Sequence, residues 1–209
     1  MVKVAILGAS GDFGIELMNV GRKRLVEVQG FARKPMQDDV APIEDFRDSV
    51  KFDKYIFTFG SFEVLSFCES NDENLRKAFE NNVISVAGII RRILISRQKD
   101  IEQGASLDFF IMGSTSSYEG FANTTHYCAA KFALRGLIES LNAEYADKNV
   151  RFCLFSTGTM KSRMAKKLTN QDEKTFLNPK NIAVQLFNLL ENQDQSFQYE
   201  VVIKRRNIR

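Results

Sequence analysis

Short apolar runs alternate along the chain with longer segments in which apolar residues recur at every third or fourth position. Short runs of this kind are typical of strands buried in a parallel sheet, and the periodic segments are typical of helices. Strands are predicted at Val2–Leu7, Leu25–Phe31, Ile43–Phe46, Lys54–Phe59, Leu107–Met112, Val150–Ser156 and Phe197–Ile203. Helices are predicted at Ile15–Arg24, Asn71–Arg97, Tyr127–Tyr145 and Ile182–Leu190. The pattern predicts an α/β fold with a mostly parallel sheet and helices on both of its faces.

The segment Asn71–Arg97 is predicted to form one long helix that begins at Asn71 or Asp72. It carries two apolar stripes, which is more than one face of a sheet covers. The stripes contain Leu75, Phe79, Val83, Val86, Ile90 and Leu94 on one side and Ile84, Ala87 and Ile89 on the other. We therefore predict a homodimer or homotetramer built on helices 71–97 and 126–145.

Composition supports one globular domain and argues against several classes of protein. The 209 residues are 44% apolar, so we expect a single domain over residues 1–209. No apolar run reaches the ~18 residues that a membrane span needs. Cys68, Cys128 and Cys153 are odd in number and lack metal-ligand spacing, which favours a reducing cytoplasm and predicts no metal site. The net charge of +3 comes with scattered basic clusters that lack interleaved aromatics, so no nucleic-acid partner is expected.

Three glycines follow the first predicted strand at three-residue steps and lead into the first predicted helix. Glycines in this setting allow a tight turn and let the backbone approach a pyrophosphate, which rests on amide groups at the positive end of the helix. The alternative is a turn that only joins strand and helix. We expect dinucleotide binding, by Gly8, Ser10, Gly11, Asp12, Phe13 and Gly14.

The end of the second predicted strand bears on which dinucleotide is bound. In an NAD-binding unit an acidic residue about 20 positions further on takes the ribose 2′-hydroxyl. Here Arg33 stands nineteen residues after Gly14, with Lys34 beside it. A guanidinium suits a 2′-phosphate, so NADP is favoured over NAD, although a solvated basic turn is an alternative. Asp45, in the abbreviated third strand, is expected near the adenine.

A serine, a tyrosine and a lysine form a candidate catalytic group. Tyr127 and Lys131 lie four positions apart in a predicted helix, so their side chains point the same way. A phenol titrates near pH ~10, and a cationic neighbour is expected to bring its pKa down toward the working range. Ser114, thirteen residues before Tyr127, ends a predicted strand at the edge where ligands of open α/β sheets gather. Together they predict proton transfer to or from a carbonyl or carbinol oxygen.

With these elements in place, the chain resembles the short-chain dehydrogenase/reductase family over nearly its whole length. The matching positions are Gly8, Gly11 and Gly14 in the nucleotide turn, Asn82 in an F-x-x-N-V setting, Ser114, and the Y-x-x-x-K pair Tyr127 and Lys131. The resemblance implies a Rossmann-type, doubly wound fold and a homo-oligomer. It further implies that Tyr127 is the general acid/base and that Ser114 orients the substrate oxygen. Lys131 would bind the nicotinamide ribose and lower the pKa of Tyr127, and Asn82 would hold a water of a proton relay.

The chain departs from the family at the walls of the expected cofactor site. The N-N-A-G after the fourth strand is replaced by Phe57–Gly60, and the P-G turn after the sixth strand by Thr157-Gly158. The region between Arg33 and Lys54 is short by roughly a helix. The residues expected to line the cofactor in these regions are Phe59, Gly60, Thr157, Gly158 and Thr159.

The segment Thr159–Asn178 is shortened relative to the family's substrate segment and is rich in basic residues. Its Lys161, Arg163, Lys166 and Lys167 could attract an anionic substrate, or they could form a solvated helix face.

These observations predict an NADP-dependent oxidoreductase that moves a hydride between a nicotinamide and a small carbonyl or alcohol substrate. A second hypothesis is an NADP(H)-binding sensor or scaffold with little or no catalytic activity. It is motivated by the shortened region between Arg33 and Lys54 and by the changed turn after the fourth strand. An epimerase or dehydratase with tightly held NAD is disfavoured by Arg33 and by the small size of the chain.

Overall fold

The structure, a computed structural model, describes residues 1–46, 50–192 and 196–206. Within this part, seven parallel strands form one sheet in the order β3-β2-β1-β4-β5-β6-β7. The strands are β1 Val2–Leu7, β2 Val26–Ala32, β3 Val40–Pro42, β4 Lys54–Phe57, β5 Leu107–Met112, β6 Val150–Thr157 and β7 Glu200–Ile203. The predicted doubly wound α/β fold is confirmed. The domain predicted over residues 1–209 includes residues 47–49, 193–195 and 207–209, which lie outside the described part.

Helices cover both faces of the sheet. They are α1 Asp12–Gly21, α2 Asp72–Phe79, α3 Ser85–Ser96, α4 Gln98–Glu102, α5 Thr125–Glu144 and α6 Pro179–Glu191. Apolar residues of α3 and α5 pack on one face, and those of α1 and α6 pack on the other. The central strands β4, β5 and β6 are almost entirely buried, as expected for a parallel sheet with two covered faces, whereas the edge strands β3 and β7 are partly exposed. No helix among the described residues is long and apolar enough to cross a membrane.

The strand order reverses at β1, and this places the candidate site. β1 pairs with β2 on one side, where Leu7 is opposite Phe31, and with β4 on the other, where Leu7 is opposite Phe57. Ligands of open α/β sheets bind beyond the carboxyl ends of the strands at such a switch point. The glycine turn after β1 lies at this point.

Stacked aromatic rings hold the central strands in register on one face of the sheet. The rings of Tyr55 and Phe109 stack at 5.0 Å between centroids, and those of Phe109 and Phe152 at 4.8 Å. All three side chains have no exposed surface. Because they join β4, β5 and β6, they stabilise the register of the three strands whose carboxyl ends lead into candidate site residues.

The predicted helix Asn71–Arg97 contains an irregular turn. α2 and α3 are joined without a break by one π-helical turn over Glu80–Ile84, in the middle of which lies Asn82. The predicted cap is confirmed at Asn71, whose side chain accepts a hydrogen bond from the Asn74 backbone amide at 3.1 Å while Asn74 Oδ1 accepts one from the Asn71 amide at 3.0 Å. One-turn π-helices insert an extra residue, and they occur often at functional sites.

The predicted third strand at Ile43–Phe46 is wrong. The strand is Val40–Pro42, in which Val40 pairs with Gly30 of β2, and Ile43–Asp45 form a 3-10 turn instead. Pro42 has no amide hydrogen for a sheet and therefore stands at the end of this edge strand. Phe46 is buried because its ring packs at 5.0 Å from that of Phe31, so its apolar character reflects core packing and not strand pairing.

Two other strands are shorter than predicted. β4 ends at Phe57, before Thr58 turns its hydroxyl back to the Leu7 and Gly8 carbonyl oxygens, at 3.0 and 3.1 Å. β7 begins at Glu200, because Phe197 packs its ring against that of Phe110 at 6.1 Å. Apolar residues that pack in the core next to a strand give the same sequence pattern as the strand itself. The lengths predicted for β4 and β7 were therefore too long.

Candidate active site

Ser114 begins the turn that follows β5. It has an extended backbone, and its Oγ accepts a hydrogen bond from the Ser116 amide at 3.1 Å. Its own amide donates to Ser117 Oγ at 3.3 Å. These two bonds fix both the backbone and the hydroxyl oxygen, while the hydroxyl hydrogen stays available as a donor. Ser114 therefore presents a positioned hydroxyl at the carboxyl edge of the sheet.

Lys131 lies almost completely buried on α5, with 5% of its surface exposed. Its Nζ donates a hydrogen bond to the Met112 carbonyl oxygen at 2.9 Å, which ties α5 to the last residue of β5. The same nitrogen lies 5.7 Å from the centre of the Tyr127 ring, as expected for side chains one helical turn apart. Burial lowers the pKa of Lys131 to about 8. One of the three ammonium hydrogens is engaged by the Met112 carbonyl, which leaves two for other partners.

The structure does not show the expected lowering of the Tyr127 pKa. Burial of the hydroxyl raises it to about 12, although the residue as a whole is partly exposed. The Ser114 hydroxyl opposes part of this rise, whereas Lys131 does not lower the pKa. The physical reason is the balance of two effects on the phenolate. The loss of its hydration on burial destabilises it by more than the charge of Lys131, 5.7 Å from the centre of the ring, stabilises it. Tyr127 is thus a protonated phenol at neutral pH in this structure.

Asn82 is held by the π-helical turn and is 1% exposed. Its Nδ2 donates to the carbonyl oxygens of Ala78, at 2.8 Å, and Ser61, at 3.0 Å. Its Oδ1 is buried without a hydrogen-bond partner among the described residues. A Cβ on Gly60 would lie 2.6 Å from that oxygen, so the loop can approach Asn82 only with glycine at position 60. The unpaired acceptor is a place where a water molecule would be stabilised.

The glycine turn has the shape that a dinucleotide requires. Gly8 has a φ of +97°, and a Cβ there would lie 2.6 Å from Thr58 Oγ1 and 2.9 Å from the Phe59 amide nitrogen. A Cβ on Gly14 would collide with the Gly8 carbonyl oxygen and the Ala9 backbone. Only glycine fits at these two positions, which bring the amino end of α1 close to the end of β1. Ser10 Oγ, in the same turn, is buried and lacks a partner among the described residues. A backbone cradle with an unpaired hydroxyl fits a pyrophosphate group.

Not every predicted residue of this turn presents its side chain to a ligand. Phe13 is 7% exposed and packs in the core between α1 and the sheet, so only its backbone is available. Asp12 is the first residue of α1, and its carboxylate forms an ion pair with Arg163, Nε to Oδ1 at 2.8 Å. Arg163 is one of the four basic residues for which the sequence left two interpretations open, attraction of an anionic substrate and a solvated helix face.

The remaining predicted cofactor residues lie at the same edge of the sheet. Arg33 and Lys34 are exposed just beyond β2, and Asp45 is exposed just beyond β3. After β6, the Gly158 amide donates to the Ile203 carbonyl oxygen at 2.8 Å, and the Thr159 carbonyl oxygen accepts from the Leu177 amide at 2.9 Å. Thr157 is buried. Among the described residues, no group of three or more His, Cys, Asp or Glu side chains could hold a metal ion.

Three residues of the loop after β4 contribute to the site but were not predicted from the sequence. Thr58 supports Gly8, Ser61 supports Asn82, and the ring of Phe62 meets that of Tyr127 edge-on at 4.8 Å between centroids. The Phe62 carbonyl oxygen also accepts a hydrogen bond from Lys167 Nζ at 2.7 Å. A loop with three aromatic residues in nine positions, Phe59–Phe67, was the only sequence pattern that could have indicated this role.

Comparisons with solved structures show the same fold in other proteins. The chain is 19% identical to a short-chain dehydrogenase/reductase from Vibrio parahaemolyticus, with a TM-score of 0.77 over 97% of this chain and 99% of that one. It is 20% identical to a short-chain dehydrogenase from Streptomyces avermitilis, with a TM-score of 0.78 over 97% and 88%. It is 16% identical to 4-hydroxyisoleucine dehydrogenase complexed with NADH, with a TM-score of 0.82 over 98% and 97%. At these identities the likeness concerns the fold.

The family assignment comes from a sequence comparison. No curated protein sequence matches the chain. A family model described as short chain dehydrogenase matches residues 59–173, which is more than half of the chain and includes the asparagine, serine, tyrosine and lysine positions. The protein therefore belongs to the short-chain dehydrogenase/reductase family of NAD(P)-dependent oxidoreductases.

Proposed function

We propose that the protein is an NADP-dependent oxidoreductase that moves a hydride between the nicotinamide and the carbonyl or alcohol carbon of a small molecule. The observation that carries the proposal is the joining of Tyr127 and Lys131 on α5 to the end of β5. Lys131 is bonded to the Met112 carbonyl, and Tyr127 interacts with the hydroxyl of Ser114. Stability of the fold does not by itself require the ionisable pair Tyr127 and Lys131 beside the positioned hydroxyl of Ser114.

In carbonyl reduction, Tyr127 gives its phenolic proton to the substrate oxygen, and in alcohol oxidation it takes the proton back. Ser114 donates a hydrogen bond to the same oxygen and holds it near the phenol. Tyr127 is protonated at neutral pH, as an acid in reduction must be, but the pKa of about 12 makes the phenol a weaker acid than a solvated one, so catalysis needs a positive charge close to the phenol. When the phenol has given up its proton, the nearby Lys131 ammonium stabilises the phenolate.

Lys131 and Asn82 have supporting roles in the proposed site. The Lys131 hydrogens that the Met112 carbonyl does not engage would bind the nicotinamide ribose. The unpaired Asn82 Oδ1 would accept a hydrogen bond from a water that returns a proton toward Lys131 and Tyr127. The π-helical turn serves this role because it fixes the Asn82 amide by two hydrogen bonds to backbone oxygens.

The bound dinucleotide would supply or accept the hydride. Its pyrophosphate would rest on the turn Gly8–Gly14, and a 2′-phosphate would be bound by Arg33 and Lys34, two exposed cations at the end of β2. Further proposed contacts come from Asp45, Phe59, Gly60, Thr157, Gly158 and Thr159.

Two measurements on the purified protein test the proposal. The first is a fluorescence titration with NADPH and with NADH, in which we expect the lower Kd for NADPH. The second is a screen of small carbonyl compounds for NADPH oxidation, in which we expect turnover of at least one. A lower Kd for NADH would contradict the NADP preference, and tight NADPH binding without turnover of any carbonyl would contradict the oxidoreductase.

A second candidate function is a sensor or scaffold that binds NADP(H) with little or no turnover. The close contact of Phe62 with Tyr127 favours it, since that ring occupies space beside the proposed acid. The same screen separates the two, because a Phe62→Ala variant should gain turnover only if the ring obstructs an otherwise competent site.

We also propose a homodimer or homotetramer, built on helices 71–97 and 126–145, and a cytoplasmic location. In the helical segment 71–97, Leu75, Ile84 and Ile95 are 41%, 54% and 57% exposed. On α5, Phe132 is 45% exposed. Apolar surface of this extent on two long helices is stabilised when a second copy covers it. The three cysteines are free, which is consistent with a reducing compartment.

A further inference from the structure

Arg163 reaches from the segment after β6 to the glycine turn and makes three hydrogen bonds there. Its backbone amide donates to Asp12 Oδ2, and its Nε donates to Asp12 Oδ1 at 2.8 Å. Its Nη2 donates to the Ser10 carbonyl oxygen at 3.1 Å. A single residue therefore joins two parts of the chain that are 151 positions apart.

Asp12 is an unfavourable residue for the role proposed for this turn. It is the first residue of α1, and its carboxylate stands at the helix end whose amides would receive a pyrophosphate. A carboxylate there stabilises the helix itself, but it repels a second anion at the same place. Arg163 neutralises the carboxylate with a paired, charge-assisted contact.

A second contact fixes the same segment at the neighbouring strand. Lys167 Nζ donates to the Phe62 carbonyl oxygen at 2.7 Å, in the loop after β4. Because β1 and β4 are adjacent, the two contacts lay residues 163–167 across the switch point of the sheet, where the proposed dinucleotide site lies. Arg163 is 59% exposed in its side chain, so its guanidinium has room to change partner.

We infer that Arg163 is a pyrophosphate-binding residue that Asp12 holds in position while no dinucleotide is bound. On binding, the guanidinium exchanges the Asp12 carboxylate and the Ser10 carbonyl for phosphate oxygens, to which its planar fork is equally suited. The inference rests on the proposed function, because it assigns an additional ligand to the proposed cofactor site. Asp12 and Arg163 then have opposite effects on affinity, since one competes with the phosphate and the other binds it.

The opposite signs distinguish this role from a purely structural ion pair. We would measure the Kd of NADPH by fluorescence for the wild type, Asp12→Asn, Arg163→Gln and the control Lys166→Gln, which removes one charge from an exposed residue of the same segment. Arg163→Gln is expected to raise the Kd by about tenfold, the scale of one charge-assisted hydrogen bond. Asp12→Asn is expected to lower the Kd several-fold, and Lys166→Gln to change it by less than about twofold.

Limited proteolysis gives a readout that does not depend on turnover. Without cofactor, trypsin should cleave after Lys166 and Lys167 faster in Asp12→Asn than in the wild type, because the segment has lost its ion pair with the turn. Saturating NADPH should restore protection in Asp12→Asn, where Arg163 is free to bind phosphate, and should restore less in Arg163→Gln.

The outcomes separate this inference from the proposed function. A wild type that binds neither NADPH nor NADH would overturn both. A wild type that binds NADPH, with Asp12→Asn and Arg163→Gln both raising the Kd or both leaving it unchanged, would overturn the inference alone.

Discussion

The Nζ of Lys131 lies 5.7 Å from the centre of the Tyr127 ring, and its hydrogen bond goes to the Met112 carbonyl oxygen at 2.9 Å. The lysine thus fixes α5 to the end of β5, and it is buried beside the partly exposed Tyr127 at the strand edge that carries Ser114. Burial moves the two pKa values apart, to about 8 for the lysine and about 12 for the tyrosine. Two groups perturbed in this way at a sheet edge are typical of a catalytic site.

Replacement of the proposed acid should remove turnover and preserve binding. We expect Tyr127→Phe to lower kcat by a factor on the order of 10²–10⁴, the usual contribution of a positioned acid or base, with little change in the Kd of NADPH. Steady-state kinetics on any accepted carbonyl provides the measurement. Tyr199→Phe, at an exposed tyrosine, is the matched control. Equal turnover in Tyr127→Phe and Tyr199→Phe would show that the phenol has no part in the reaction.

The buried lysine should make stability depend on pH. Lys131 titrates near 10.5 when unfolded and near 8 when folded, so between these values the unfolded state binds more protons and the lysine makes stability rise with pH. Below pH ~8 the charged, buried Lys131 lowers the free energy of unfolding by its full amount, which is on the order of 3 kcal/mol. Lys131→Met should therefore be more stable than the wild type at pH 7, by an amount that shrinks as the pH rises.

Urea unfolding of both proteins from pH 7 to pH 10 provides this comparison. Lys166→Met, at an exposed lysine, should differ from the wild type by less than about 0.5 kcal/mol at every pH. A stability difference between Lys131→Met and the wild type that does not change with pH would mean that the Lys131 pKa is not lowered by folding.

The contact between Gly60 and Asn82 should not tolerate a side chain. In Gly60→Ala the new methyl group would lie 2.6 Å from Asn82 Oδ1, so the amide or the loop must shift. We expect a loss of about 1–3 kcal/mol in the free energy of unfolding and a reduced kcat. Gly120→Ala is the control, because nothing lies within 4 Å of a Cβ at that position. Thermal unfolding and kinetics of the two variants would be compared, and wild-type values for Gly60→Ala would contradict the packing.

Arg33 should determine the preference between the two dinucleotides. We expect Arg33→Gln to raise the Kd of NADPH by about tenfold and to leave that of NADH nearly unchanged, because only NADPH has a phosphate for the guanidinium to bind. Lys23→Gln, at another exposed cation, serves as the control. An equal change in both Kd values would place Arg33 away from the 2′-phosphate.

The exposed apolar residues of the two long helices should mediate self-association. We expect a dimer or tetramer by light scattering at micromolar concentration, and dissociation on Ile84→Asp or Phe132→Asp. Leu25→Asp is the control, because Leu25 is 91% exposed and lies outside both helices. A monomeric wild type would exclude the proposed assembly.

The sequence by itself determined the elements that depend on neighbours along the chain. The turn between β1 and α1, the capped start of α2, and the four-residue spacing of Tyr127 and Lys131 all follow from local backbone geometry and helical periodicity. Where an apolar pattern came from packing, the same reasoning predicted a strand at Ile43–Phe46 that does not exist and began the last strand at Phe197 instead of Glu200.

Only the tertiary structure decided how these elements act on one another. Asn82 bonds to a loop 21 residues away, Phe62 meets Tyr127, and Arg163 contacts Asp12 across 151 positions. The pKa of Tyr127 likewise moved against the predicted direction, because it depends on how completely distant parts of the chain exclude water from the phenol. Spacing determines which side chains share a helix face, whereas burial and long-range partners exist only once the sheet has brought the loops together.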